Sequence, residues 1–179
     1  MTLFLATLLP GLFLLGLGAP LALGLSSAGI SYKAFPRSQA AAYAVFGSAA
    51  AWFLYNIWHL SVADFGEYKG YLFIGFAVIA VLAFRCVPDF LAVRGACALV
   101  LLAASPLLNA AYMEYDHPQR LFMVTPLYVG IGLAIWLGAQ PWRLRDFLEW
   151  LFSRPARARA AGGLLAVYGL LLCGVAFTY

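Results

Sequence analysis

The residue types best suited to chemistry in this chain are two histidines, His59 and His117, and the carboxylates beside them in the sequence. Asp64 and Glu67 follow the first, and Glu114 and Asp116 precede the second. Imidazole and carboxylate ligate zinc, copper, iron or manganese, and two imidazoles can hold one haem. His59, His117, Glu114, Asp116, Asp64 and Glu67 are therefore the candidate ligands of a metal- or haem-binding redox protein. The spacing argues against a built site. Glu114 and His117 share a helix face only if a helix extends that far, and Pro118 pushes His117 toward extended backbone. A Glu-x-x-His unit bridges two irons only when a second copy lies on another helix, and one copy is present. The economical reading of both clusters is a solvated interface, with solute contact or proton handling as the further use. No cofactor is favoured.

A second group of polar residues lies inside apolar stretches: Asn56, Ser105, Asn109 and Thr125, with Ser48. These are the candidate cavity residues of a small oligomeric channel or carrier. Ser105-Pro106 and Thr125-Pro126 each place a hydroxyl beside a proline, which removes an intrahelical hydrogen bond and frees a carbonyl. Such carbonyls either line a cavity, as in broken-helix transporters, or are patched by a neighbour. No charged residue falls near the middle of an apolar stretch, which counts against a proton- or ion-coupled transporter.

Catalytic signatures are absent. The chain has no G-x-S-x-G, no H-E-x-x-H and no Walker loop, and Gly16-Leu17-Gly18 has no strand-to-helix context. Cys86, Cys97 and Cys173 form neither a C-x-x-C nor a zinc-like cluster with histidine.

The elements that carry these residues follow from composition. Of 179 residues 65% are hydrophobic and 10% charged, and the mean hydropathy is +0.91, whereas soluble domains are about 25% charged. The fold class is all-α, a polytopic helical membrane protein forming a single domain over residues 1–179. Apolar runs long enough to cross the bilayer predict six spans, at about 3–25, 39–60, 70–87, 95–113, 121–139 and 160–178. Ser26-Ser27-Ala28 after the first run resembles a signal-peptidase site, but no Lys or Arg precedes that run, and a retained first span is expected. The connections are short except for 140–159, where Trp142, Phe147, Trp150 and Leu151 alternate with charges at helical spacing. That pattern predicts a short amphipathic helix lying in the headgroup layer between the fifth and sixth spans.

Orientation follows from the basic residues. The first, third and fifth loops hold Lys33, Arg37, Arg85, Arg94, Arg143, Arg145, Arg154, Arg157 and Arg159; the second and fourth hold only Lys69 and Arg120. Cytoplasmic loops are the ones rich in Lys and Arg. A cytoplasmic (inner) membrane protein with both termini outside is predicted, with anionic lipids at the basic loops. The net charge of +4 is accounted for in this way, and nucleic acid is not an expected partner. Trp58, Tyr68, Tyr71, Tyr112, Tyr115 and Tyr179 would form the outer aromatic belt, and Trp142 and Trp150 the inner one.

Small residues mark the expected helix contacts. Ala40, Ala44 and Ser48 recur on the second span, Gly162, Ala166, Gly169 and Cys173 on the sixth, and Gly11, Gly16, Gly18 and Gly24 thin the first. Similar basic-then-small openings of the second, fourth and sixth spans suggest either three repeated hairpins or the common signature of spans starting at the positive side. With short loops, small-residue faces and no catalytic motif, the leading expectation is a non-enzymatic accessory or assembly subunit whose partners are other integral membrane proteins.

Overall fold

The computed structural model describes all 179 residues. Six helices are long and apolar enough to cross a membrane: Leu3–Ala22, Gln39–Trp58, Gly66–Cys86, Leu91–Ala111, Pro118–Ala139 and Pro155–Ala176. An extra short helix, Trp142–Phe152, sits between the fifth and sixth.

Local chemistry explains where the helices stop. The first span ends at Gly24, whose φ of +66° is in the left-handed region. The Gly24 N–H donates to Leu21 O and the Leu25 N–H to Pro20 O, the paired closing bonds of a Schellman cap. The sixth helix begins at Pro155, where proline loses no helical bond because its missing N–H would have had no partner. Its start is earlier than residue 160, so Arg157 and Arg159 lie in its first turns.

One helix was not expected. The first loop contains a helix over Ser26–Ala34, although serine and glycine are poor helix formers. Tertiary contacts hold it. The Tyr32 hydroxyl donates to Leu17 O at 3.0 Å, its ring stacks on Phe152 at 6.4 Å between centroids, and Lys33 Nζ lies 5.5 Å from the centre of the same ring.

The spans are not paired first with second, third with fourth and fifth with sixth. The first lies along the sixth, the fourth against the fifth, the second and the first, and the third chiefly against the second. A hairpin of first with second, third with fourth or fifth with sixth span is therefore not a packing unit. The first and sixth spans meet through glycine. A Cβ on Gly11 would lie 3.0 Å from Gly169 O, and one on Gly18 2.7 Å from Gly162 O. Small residues allow this backbone approach, which supplies the dispersion contacts that replace a hydrophobic driving force in lipid. Gly16, on another side of the first span, has nothing within 4 Å.

The fourth span is the hub, with 33% of its apolar window buried against 0% for the third. Toward the end carrying both termini, Leu3, Ala6, Leu107, Ala111, Met123 and Leu172 form one core. Toward the basic end, Val93, Cys97 and Ala134 form another, and Ala42, Leu91 and Ala92 a third. Beside them the second span widens into a π turn over Ala42–Phe46, where Gly95 of the fourth span meets its backbone: a Cβ there would fall 2.5 Å from Phe46 Cα.

Candidate functional site

The polar residues separate into two ends of the bundle and one outward face. At the end carrying both termini, most of the candidate ligands have local structural partners or face solvent. His59 is the residue that closes the second span. Its Nδ1 lies 2.8 Å from Tyr55 O, and since a carbonyl only accepts, that nitrogen carries the proton and leaves Nε2 free. The ring also lies on Tyr55, 4.2 Å between centroids. Asp64 accepts from the Ser61 hydroxyl at 2.8 Å, and Glu67 is exposed. His117 packs edge-on against Tyr179 at 5.3 Å, while Glu114 and Asp116 are exposed. No three His, Cys, Asp or Glu side chains come together in a group able to hold a metal ion.

The cations at this end are likewise engaged locally. Lys69 Nζ lies over Trp58 at 5.6 Å. Arg120 donates to Ala111 O at 3.1 Å, closing the C-terminal end of the fourth span as basic side chains do, and lies over Tyr115 at 4.7 Å. The fourth loop is tied to the C-terminus by Gln119, which donates to Thr178 Oγ1 at 3.3 Å.

The candidate cavity residues are spread over the outer surface of the bundle. Asn56, Ser105, Asn109 and Thr125 are all exposed, and none lines either of the two clefts described below. Thr125 donates to Leu121 O at 2.8 Å. Pro126 leaves the carbonyl four residues earlier, that of Phe122, without its helical donor. Tyr168 of the sixth span supplies one, its hydroxyl donating to Phe122 O at 2.7 Å. At Pro126 the freed carbonyl is thus satisfied inside the protein. No sequence motif marks Tyr168; the local signal is the carbonyl freed four residues before each mid-span proline.

The outward face belongs to the second span. Ala40, Ala44, Ser48 and Ala51 are exposed, so this small-residue row takes no part in packing within the chain. Beside it an open, wholly apolar cleft of about 620 Å³ is bounded by Ala51, Leu54, Tyr55, Trp58 and Phe73. The third span joins the second through aromatic pairs, Tyr43 with Phe84 at 4.9 Å, Phe53 with Phe76 at 5.1 Å and Trp58 with Phe73 at 5.6 Å.

The basic end is the more organised of the two. The Ser26–Ala34 helix, the turn at Phe35–Arg37 and the Trp142–Phe152 helix pack on one another. The latter turns Leu148 and Leu151 inward and leaves Trp142, Phe147 and Trp150 exposed, the disposition of a helix lying in the interface. Only Arg145 is ion-paired, with Asp146 at 2.7 Å and more distantly with Glu149 at 3.8 Å. The other eight basic side chains of this end have no carboxylate partner.

The chain matches no family model, no curated protein and no solved structure.

Proposed function

We propose that this is a non-enzymatic integral membrane protein that acts by packing against other integral membrane proteins, as an accessory or assembly subunit of a larger complex. The reading is carried by the second span. Its row of Ala40, Ala44, Ser48 and Ala51 points away from the bundle, while the comparable glycine faces of the first and sixth spans are consumed within it. Small-residue rows are the surfaces on which membrane helices approach closely. The adjacent third span buries no residue of its own, which leaves two neighbouring helices for a partner to cover. In the same reading the protein resides in a cytoplasmic (inner) membrane, with its basic loops on the cytoplasmic side against anionic lipid and both termini outside.

The test is photocrosslinking from position 44 or 48 in native membranes, followed by purification in mild detergent. A discrete protein adduct at both positions, absent when the probe is moved to exposed Leu164 of the sixth span, is expected. Adducts to lipid alone, with a stable lone monomer, would sink the subunit role.

A further inference from the structure

At the basic end a cleft of about 290 Å³ opens where the first span turns at Gly24 and the sixth begins. One wall is the Ser26–Ala34 helix, contributing Ser26, Gly29 and Lys33; the other carries Phe152 and Arg159. No acidic residue lines it. The Arg159 guanidinium lies across the Gly24 turn, so close that a Cβ on Gly24 would be 2.8 Å from its Nε, yet it makes no ion pair and none of its N–H groups is hydrogen-bonded within the protein. Lys33 is held over Phe152 and likewise has no carboxylate partner. The Ser26 and Ser27 N–H groups open the helix with no side-chain cap.

We propose that this cleft binds the phosphate headgroup of an anionic phospholipid. Two cations on opposing walls, with no carboxylate partner, give the cleft a positive field that attracts an anion. Phosphate oxygens accept two parallel N–H bonds from a guanidinium and a further one from an ammonium. The cleft sits at the ends of two membrane-spanning helices, at the depth where headgroups lie, and basic pockets between transmembrane helices on the positive side are where such headgroups are recognised. Its volume of about 290 Å³ falls just under the usual range of ligand pockets, about 300–1,000 Å³, which suits a headgroup whose acyl chains stay in the bilayer. Exposed Leu23, Leu25 and Ile30 give those chains an apolar flank. The inference rests on the headgroup-level placement of the basic loops and is independent of any protein partner.

Native mass spectrometry of the delipidated full chain, titrated with phosphatidylglycerol or phosphatidylcholine, tests it. One phosphatidylglycerol is expected to bind at least tenfold more tightly than phosphatidylcholine. The K33Q/R159Q variant should lose that preference, the charge-conserving K33R/R159K variant should keep it, and R143Q, at another site on the same face, should not alter it. K33Q alone changes an exposed side chain, so it reads the site even if the double variant folds poorly; a threefold loss is expected. Equal binding of the two lipids, or an unchanged preference in K33Q, would overturn the proposal. Displacement of the lipid by millimolar glycerol phosphate would overturn the lipid assignment in favour of a soluble phosphate ester. Loss of protein crosslinks from position 44 would bear on the subunit role and leave the lipid titration unchanged.

Discussion

The Tyr168 hydroxyl donates at 2.7 Å to the carbonyl of Phe122, the oxygen that Pro126 deprives of its own helix's N–H. An unpaired carbonyl in hydrocarbon is costly, so this single bond both patches the fifth span and ties it to the sixth. Tyr168→Phe is expected to destabilise the protein by about 1 kcal/mol, the usual net worth of such a bond. In a Pro126→Ala background the helix can supply its own N–H, and the same substitution should cost little. A double-mutant cycle on thermal unfolding in detergent checks this; equal costs in both backgrounds would mean that Tyr168 acts by packing alone.

Glycines on the first span differ sharply in what surrounds them. A Cβ on Gly18 would lie 2.6 Å from Ala166 N, whereas one on Gly16 would meet nothing within 4 Å. Gly18→Ala must push the sixth span away and is expected to cost about 1–3 kcal/mol, as overpacking does. Gly16→Ala should be neutral, or stabilising by up to about 1 kcal/mol through helix propensity. Fluorescence-detected size-exclusion after heating separates the two; a similar loss for both would argue against the close first–sixth contact.

Tyr32 couples the basic end to pH. Burial pushes its phenol above the ordinary value, and only the neutral form can donate to Leu17 O. The stabilisation is fully present below the unfolded pKa of about 10. Above that pH the unfolded chain loses its proton before the folded one does, so the contribution declines and is gone once the folded phenol ionises. Tyr32→Phe should therefore lower the melting temperature at pH 8, with the gap from the parent narrowing as pH rises beyond about 10. Tyr32→Phe keeps the ring stacked on Phe152, so a gap that stays constant across that range would mean that donation by the neutral hydroxyl is not what stabilises this end.

Cysteine accessibility reads the orientation. Cys86, at the basic end of the third span, is exposed, while Cys97 is buried and Cys173 half-buried. With the basic loops cytoplasmic, a membrane-impermeant maleimide should label Cys86 in inverted vesicles and leave it untouched in intact cells, in a C173S background. Labelling in intact cells would reverse the proposed topology.

Much of the architecture is a local property of the chain. The length of each apolar run, the nine basic residues on alternate loops and the helical spacing of Trp142, Phe147, Trp150 and Leu151 determined the six spans, their alternation and the short interfacial helix. Each of these depends only on the free energy of moving a segment, or a charge, between water and lipid. The sequence also restrained the reading of His59 and His117, since Pro118 and the single Glu-x-x-His argued against a built metal site.

Which helix faces meet was decided by the tertiary structure. Spans are apolar on every side, and lipid tails are as apolar as leucine, so hydrophobicity does not distinguish a protein-facing side from a lipid-facing one. Two rows of small residues that look alike in sequence, Gly162 to Gly169 and Ala40 to Ser48, therefore have opposite fates, one buried against the first span and the other outward. The Ser26–Ala34 helix, the bond from Tyr168 to Phe122 and the cleft between Lys33 and Arg159 share that origin. Each joins separate elements of the chain, and only the packing of the first span on the sixth, of the sixth beside the fifth, and of the loop helix on the interfacial helix brings them together.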